Sequence, residues 1–140
     1  VNALATAALY HDASEILTGD LPTPIKYHNA EIMSAYHAVE DLAVQKLLGM
    51  LPPELRETYA DVLAEDKDGD IYPLVKAADK LSAYIKCIEE RKAGNNEFLS
   101  AEAQTRAALE ASPLPEVQYF LEHFIPAFER DLDELGAIGQ

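Results

Sequence analysis

Apolar residues recur every three or four positions along most of this chain, and that period restricts what the sequence can fold into. The clearest case lies between residues 29 and 49, where the recurring residues are Ile32, Met33, Tyr36, Val39, Leu42, Ala43 and Leu47. This spacing places the apolar side chains on one face of a helix. No segment shows the alternation of apolar and polar residues that is typical of a strand. The sequence therefore predicts an all-α fold.

Prolines and glycines divide the helical pattern into segments. We predict helices over residues 1–17, 29–49, 53–64, 72–93, 96–111 and 116–135. Between them we expect a loop in "GDLPTP" at 19–24, a polar turn at 65–70 and a proline-rich break at 113–115. With 140 residues in all, we expect one domain over residues 1–140, a bundle of about six helices.

The formal charge of −14 limits the partners of the protein. It argues against binding to nucleic-acid polymers or to anionic membranes, which need basic surfaces. A small phosphate substrate stays possible because a metal ion can supply positive charge locally. The single cysteine, Cys87, excludes an internal disulfide and fits the reducing cytoplasm, where we expect the protein to work.

The stretch "YHDASE" at residues 10–15 ends an otherwise apolar run. In a regular helix, His11, Asp12 and Glu15 would share one side. Imidazole and carboxylate ligands suit a divalent transition metal, and a further carboxylate could handle a proton of a water molecule. A solvated helix face explains the same residues, and the local sequence by itself favours that simpler alternative.

Asp79, in "VKAADKLSAYIKC", adds a second acidic position. We expect it at the edge of the apolar stripe of the 72–93 helix, where a carboxylate near the core needs a cation. That cation could be a lysine, Lys76 or Lys80, or a metal shared with His11 and Asp12. Both alternatives stay open at this point.

The other polar motifs carry weaker signals. "DKDGD" is not an EF-hand loop: with Gly69 at its sixth position, the twelfth would be Val75 instead of a glutamate. We expect a structural or exposed role for the remaining histidines, which are His28, His37 and His123.

Three segments together resemble one enzyme family. These are "YHDASEILTGDLPTPIKY" at 10–27, "VKAADKLSAYIKCIEE" at 75–90 and "AGNNEF" at 93–98. They are similar to the bacterial 5'-deoxynucleotidase branch of the HD-domain metal-dependent phosphohydrolases, and the likeness runs over essentially the whole chain. It implies an all-α HD domain, usually a homodimer, that hydrolyses deoxyribonucleoside 5'-monophosphates to the deoxynucleoside and phosphate.

The resemblance also implies roles for individual residues. The metal ligands would be His11, Asp12 and Asp79, and the metal would be Co, Mn, Zn, Cu or Fe. Glu15 would be the catalytic residue that assists the attacking water. The residues that contact the nucleotide would be Asp12, Asp20, Leu21, Pro22, Thr23 and Asp79. Among these, Asp20 would accept a hydrogen bond from a sugar hydroxyl.

The chain also departs from the family pattern. HD phosphohydrolases carry one more histidine ligand, and this branch an arginine–aromatic pair, upstream of the His-Asp doublet. Only ten residues precede His11, and none is His, Arg or Trp. We therefore expect that the natural N-terminal helices are missing here. Two alternatives remain: hydrolysis of a cyclic or polyphosphorylated nucleotide, and a non-catalytic helical dimerisation module with a vestigial metal site.

Overall fold

The computed structural model describes residues 1–26, 28–64 and 69–136, except for the side chains of Thr23, Pro24, Leu132 and Leu135. These residues form ten helices and no strand. The helices are α1 (Asn2–Tyr10), α2 (Glu15–Thr18), α3 (Thr23–Lys26), α4 (Ala30–Met50), α5 (Pro53–Leu63), α6 (Tyr72–Lys92), α7 (Leu99–Glu110), α8 (Pro115–His123), α9 (Ile125–Glu129) and α10 (Leu132–Gly136). Six of them, α1 and α4 to α8, have nine or more residues. The predicted all-α class is confirmed.

The helix predicted over residues 1–17 is interrupted in the middle. It ends at Tyr10 and resumes as α2 at Glu15. In between, the amide of Ala13 donates to the carbonyl of Tyr10 at 2.9 Å, and the amide of Glu15 donates to the carbonyl of Asp12 at 2.9 Å. Bonds between residues three apart wind the backbone more tightly than an α-helix does. No proline or glycine marks this change, so the sequence pattern did not reveal it.

The helix predicted over residues 116–135 is also wrong, because it consists of α8, α9 and α10. Pro126 has no amide hydrogen, and its ring would collide with the carbonyl one turn earlier, so α8 does not continue through it. α10 begins with a reciprocal cap: Glu134 N–H donates to Asp131 Oδ1 at 2.8 Å, and Asp131 N–H donates to Glu134 Oε2 at 3.1 Å. Such a cap starts a new helix.

The backbone divides into two compact units, Val1–Val75 and Lys76–Gln140. In the first unit, α4 packs against α2, α3 and α5, and α5 also packs against α1. Few of the side chains described in this unit are buried: Ala43, Leu48, Val75 and the polar Ser14. The single domain expected over residues 1–140 stays a prediction. The polar turn expected at 65–70 falls largely outside the described residues, which omit 65–68.

The second unit is built around one buried cluster on α6 to α9. α8 packs against both α7 and α9. The buried members of this cluster are Leu81, Tyr84, Ile88, Leu109, Val117 and Ile125. At its rim, Arg91 pairs with Glu102 at 3.0 Å and with Glu129 at 2.7 Å. None of the helices described here is both long and apolar enough to span a bilayer.

Candidate functional site

His11 is the residue that follows α1, and its ring is fixed by a backbone contact. Nδ1 lies 2.9 Å from the carbonyl oxygen of Ala8. Since a carbonyl only accepts, this contact requires a proton on Nδ1, and a neutral ring then carries its lone pair on Nε2. A histidine that binds a metal is commonly oriented in this way, through the nitrogen that does not bind. The side chain is 16% exposed.

Asp12 places its carboxylate beside the other ring nitrogen. Its Oδ2 lies 3.1 Å from His11 Nε2, and its side chain is largely exposed. A lone pair and a carboxylate oxygen at this separation repel each other unless a proton or another cation lies between or beside them. One imidazole nitrogen and one carboxylate oxygen are the donor types that divalent transition metals bind. The two side chains therefore fit such a metal chemically.

Asp79 belongs to the second unit, on α6. Its side chain is exposed, so the expected position of this carboxylate near the core was wrong. α6 buries Leu81, Tyr84 and Ile88 instead. Within the part of the chain that the structure describes, no three His, Cys, Asp or Glu side chains are grouped as a metal site. That Asp79 joins His11 and Asp12 stays a prediction.

Glu15 begins α2 and is half-buried. Burial raises its pKa, and the negative charges of Asp12, Asp20 and Glu40 raise it further, while Lys26 opposes them. These charges therefore lie close enough to act on Glu15. The regular helix that we assumed for this stretch is wrong, but Asp12 and Glu15 still share a side, because residues three apart superpose in a tightly wound turn.

The predicted pocket residues lie in a segment that we call the proline loop, residues 19–26. It begins at Gly19, whose φ of 71° is favourable only for glycine. Asp20 and Pro22 are exposed, and Leu21 is half-buried. The side chain of Thr23 lies outside the described residues. Nucleotide contacts by Asp20, Leu21, Pro22 and Thr23 stay predictions.

A polar cluster beside the proline loop was not predicted. Lys26 Nζ donates to Glu40 Oε1 at 2.9 Å, and His37 Nδ1 donates to Glu40 Oε2 at 2.8 Å. Burial by itself would raise the pKa of Glu40, but these two donors outweigh it and hold the pKa below its ordinary value. The three-residue spacing of His37 and Glu40 on one helix could have indicated their pairing. No local signal connects Lys26 to them.

A cavity of about 530 Å³ lies within the first unit. Its walls come from α1, α5 and residues 69–75, and His11 is part of its lining. On α1 the lining includes the small residues Ala3 and Ala7. The sequence pattern did not reveal this cavity, because alanines one turn apart also occur on tightly packed helix faces.

The remaining histidines are His28, His37 and His123. His28 is exposed, and His123 rests against Tyr119 with ring centroids 4.3 Å apart. His37 is engaged with Glu40, as described above. These positions agree with the structural or exposed roles that we expected.

Comparison with known proteins gives a consistent family. The model of the family described as "5'-deoxynucleotidase YfbR-like" matches residues 1–128. The 5'-deoxynucleotidase YfbR of Shigella flexneri serotype 5b is 53% identical over 134 residues, which cover 95% of this chain and 67% of that protein. The 5'-deoxynucleotidase YfbR of Escherichia coli strain ATCC 8739 is 52% identical over 134 residues, which again cover 95% of this chain and 67% of that protein.

A solved structure supports the fold. An HD-domain phosphohydrolase from Listeria innocua superposes with a TM-score of 0.75 at 28% identity, covering 91% of this chain and 63% of that one. The resemblance that we saw in the sequence is thereby confirmed, and with it the expected class of enzyme, a hydrolase of phosphoric monoesters. On the family match and the identity to these relatives, this chain belongs to the 5'-deoxynucleotidase YfbR-like family.

Proposed function

We propose that this protein removes the 5'-phosphate from deoxyribonucleoside 5'-monophosphates, with the help of a divalent metal. The chain spans 67% of the length of the YfbR relatives, whose names state a 5'-deoxynucleotidase activity. The observation that carries the proposal is the His11–Asp12 pair, in which Nε2 and Oδ2 lie 3.1 Å apart, next to Glu15. Imidazole and carboxylate at this separation, next to a half-buried acid, suit metal-assisted hydrolysis.

Two residues of the first unit would hold the metal. His11 would bind through Nε2 while Ala8 holds Nδ1, and Asp12 would bind through its carboxylate. We propose Asp79 as a further ligand on the family resemblance alone. A bound divalent metal would neutralise phosphate charge and make a water molecule more acidic. Co, Mn, Zn, Cu and Fe all accept these donors.

The remaining residues would handle the proton and the sugar. Glu15 lies next to Asp12 in the tight turn and would take a proton from the attacking water at its carboxylate. Asp20 would accept a hydrogen bond from a sugar hydroxyl, with Leu21, Pro22 and Thr23 beside it. Asp12 and Asp79 would also contact the substrate. A loop with two prolines loses little freedom on binding, which favours discrimination between deoxyribose and ribose.

We further propose that the protein acts as a homodimer in the cytoplasm, on a free nucleotide and not on a nucleic-acid polymer. The dimer rests on the family resemblance. The location rests on the single cysteine, and the small substrate rests on the charge of −14.

The experiment is a substrate panel with the metal-loaded protein. The panel contains deoxyribonucleoside and ribonucleoside 5'-monophosphates, a cyclic nucleotide and a guanosine polyphosphate, with cobalt or manganese added. We expect phosphate release chiefly from the deoxyribonucleoside monophosphates. Preference for the diester or the polyphosphate would replace our proposal with the alternative substrate.

Asp79→Ala tests the third ligand, with Asp133→Ala as its control because Asp133 is an exposed aspartate of the same unit. We expect Asp79→Ala alone to lose activity and to bind less metal at equilibrium. No release from any nucleotide by the parent, with metal binding by Asp79→Ala equal to that of the parent, would favour a non-catalytic helical module.

A further inference from the structure

α4 holds the proline loop (residues 19–26) at both of its ends. At the first end, the hydroxyl of Tyr36 donates to the carbonyl of Gly19 at 3.2 Å. At the other end, Lys26 Nζ donates to Glu40 Oε1 at 2.9 Å. Tyr36 and Glu40 are four residues apart on a helix and therefore project from the same face. One face of α4 thus contacts the loop where it begins and where it ends.

The Tyr36–Gly19 and Lys26–Glu40 contacts are also linked to each other. Lys26 Nζ lies 4.5 Å from the centroid of the Tyr36 ring, within the range of a cation–π interaction. His37 Nδ1 donates to the second carboxylate oxygen of Glu40 at 2.8 Å, so both oxygens of Glu40 are engaged. The side chains of Lys26 and Glu40 are only 18% and 19% exposed. An ion pair this sheltered is screened less by water and salt than a surface pair is.

The loop has little structure of its own to keep it in place. Its single helical turn, α3, is closed by amides of Ile25 and Lys26 that donate to the carbonyl of Pro22 at 2.8 and 3.0 Å. One isolated turn is unstable in water because nucleating a helix costs more than its first bonds return. Gly19 adds freedom at the start of the loop. The order of this segment therefore depends on α4.

We propose that Tyr36 and Glu40 are positioning residues for the nucleotide pocket, which hold the two ends of the proline loop so that Asp20 and its neighbours are already in place when the substrate arrives. This inference rests on the function proposed above, which assigns the loop to the nucleotide. Ordering a loop during binding weakens affinity, whereas a loop ordered in advance avoids that cost. The two residues therefore affect substrate binding more than the chemical step.

The kinetic test uses Tyr36→Phe, which keeps the ring beneath Lys26 and removes the hydroxyl, and Glu40→Gln. In each variant we expect KM for a deoxyribonucleoside monophosphate to rise roughly three- to tenfold, the loss that one hydrogen bond accounts for, with kcat within about twofold of the parent. Tyr119→Phe is the matched control, because Tyr119 is an exposed tyrosine of the second unit. An unchanged KM in both variants would overturn the positioning role.

We call the contacts of Tyr36 and Glu40 with the two ends of the proline loop the clamp. Hydrogen exchange tests the clamp without reference to activity. In the double variant Tyr36→Phe/Glu40→Gln, the amides of Ile25 and Lys26 should exchange faster than in the parent, and those around Ile88 should not change. Equal exchange at Ile25 and Lys26 would overturn the clamp. If the parent hydrolyses no nucleotide, the proposed function fails, and hydrogen exchange alone then decides whether α4 holds the loop.

A double-mutant cycle asks whether Lys26 acts through Glu40. If it does, Lys26→Met and Glu40→Gln together should raise KM no more than either change does by itself. Full additivity of the two effects would mean that Lys26 contacts the nucleotide independently, and it would remove Lys26 from the clamp.

Discussion

The two units of this protein bury their apolar residues to very different extents. In the second unit, Ile88 is fully buried, and Tyr84 and Leu109 are each 1% exposed within one continuous cluster. Among the residues of the first unit that the structure describes, the buried apolar ones are Ala43, Leu48 and Val75. Large apolar side chains of that unit, such as Leu42, instead lie on its surface.

This difference separates the part of the molecule that supplies stability from the part that carries most of the proposed chemistry. His11, Asp12, Glu15 and the proline loop all lie in the first unit, where His11 also lines a cavity of about 530 Å³. Regions with few buried apolar contacts open more readily than a packed core does. A site that must admit a charged substrate and a metal needs polar groups and space, and both displace packed apolar side chains. Four experiments test this comparison.

The largest effect is expected from Glu15→Gln in the first unit. The amide keeps the size of the side chain but cannot take up a proton, so kcat should fall by roughly 10²- to 10⁴-fold, the contribution of general acid–base catalysis. Phosphate release from a deoxyribonucleoside monophosphate measures this. Thermal unfolding should stay within a few degrees of the parent. Glu110→Gln, at an exposed position of the second unit, is the control. Full activity of Glu15→Gln would remove Glu15 from the mechanism.

In the second unit, Ile88→Ala should lower the free energy of unfolding by about 2–5 kcal/mol, because it leaves a cavity in the packed cluster. Leu42→Ala in the first unit should change it by no more than about 0.5 kcal/mol, since Leu42 is 70% exposed. Urea denaturation gives both values. A cost for Leu42→Ala equal to that of Ile88→Ala would show that this exposed face of α4 is covered in solution, and it would break the comparison.

The ion pairs at the rim of the second unit should contribute less to the free energy of unfolding than its buried cluster does. Arg91 donates to both Glu102 and Glu129, and these hydrogen bonds raise its pKa. Arg91→Met should lower the free energy of unfolding measurably but much less than Ile88→Ala does, because solvent screens ion pairs at partly exposed positions. The control, Arg106→Met, removes a more exposed pair with Glu110 and should cost less. If urea denaturation shows equal losses of stability for Arg91→Met and Arg106→Met, the second carboxylate partner of Arg91 adds no stability.

The smallest effect concerns pH and the first unit. Since the pKa of folded Glu40 is below its ordinary value of 4.5, the ionised carboxylate stabilises the fold above that pH, and this contribution disappears as the pH falls through the lowered pKa. The parent should therefore be more stable than Glu40→Gln at neutral pH, and the difference should shrink below about pH 4.5. Unfolding midpoints from pH 3 to pH 7 measure it. A difference that grows in acid would contradict the sign.

Much of the helical architecture could be predicted because it depends on local sequence. The long apolar period at 72–93 corresponds to Tyr72–Lys92, and Pro53 begins α5 as expected at 53–64. The breaks at residues 11–14 and at Pro126 were missed. The break at residues 11–14 has no local signal. The break at Pro126 could have been predicted from the proline, but the apolar period around it indicated a continuous helix.

The candidate site was predicted only in part. Residues in one short segment, such as Asp12 and Glu15, could be grouped from their spacing. The pairing of Lys26 with Glu40 spans 14 residues and depends on how the proline loop folds back on α4. The expected position of Asp79 near the core, at the edge of the apolar stripe of α6, was wrong, because its side chain is exposed.

The sequence by itself determined the all-α class and most helix bounds, since backbone hydrogen bonds within a helix and its apolar stripe are set by residues a few positions apart. It also determined the family, through the residues of its motifs and their spacing. Only the tertiary structure decided the tight turn at His11–Ser14, the tie of both loop ends to α4 and the unequal burial of the two units. The last two features depend on contacts between residues distant in sequence, whose energies no local spacing encodes. The turn is closed by bonds between residues three apart, but no proline or glycine marks it in the sequence.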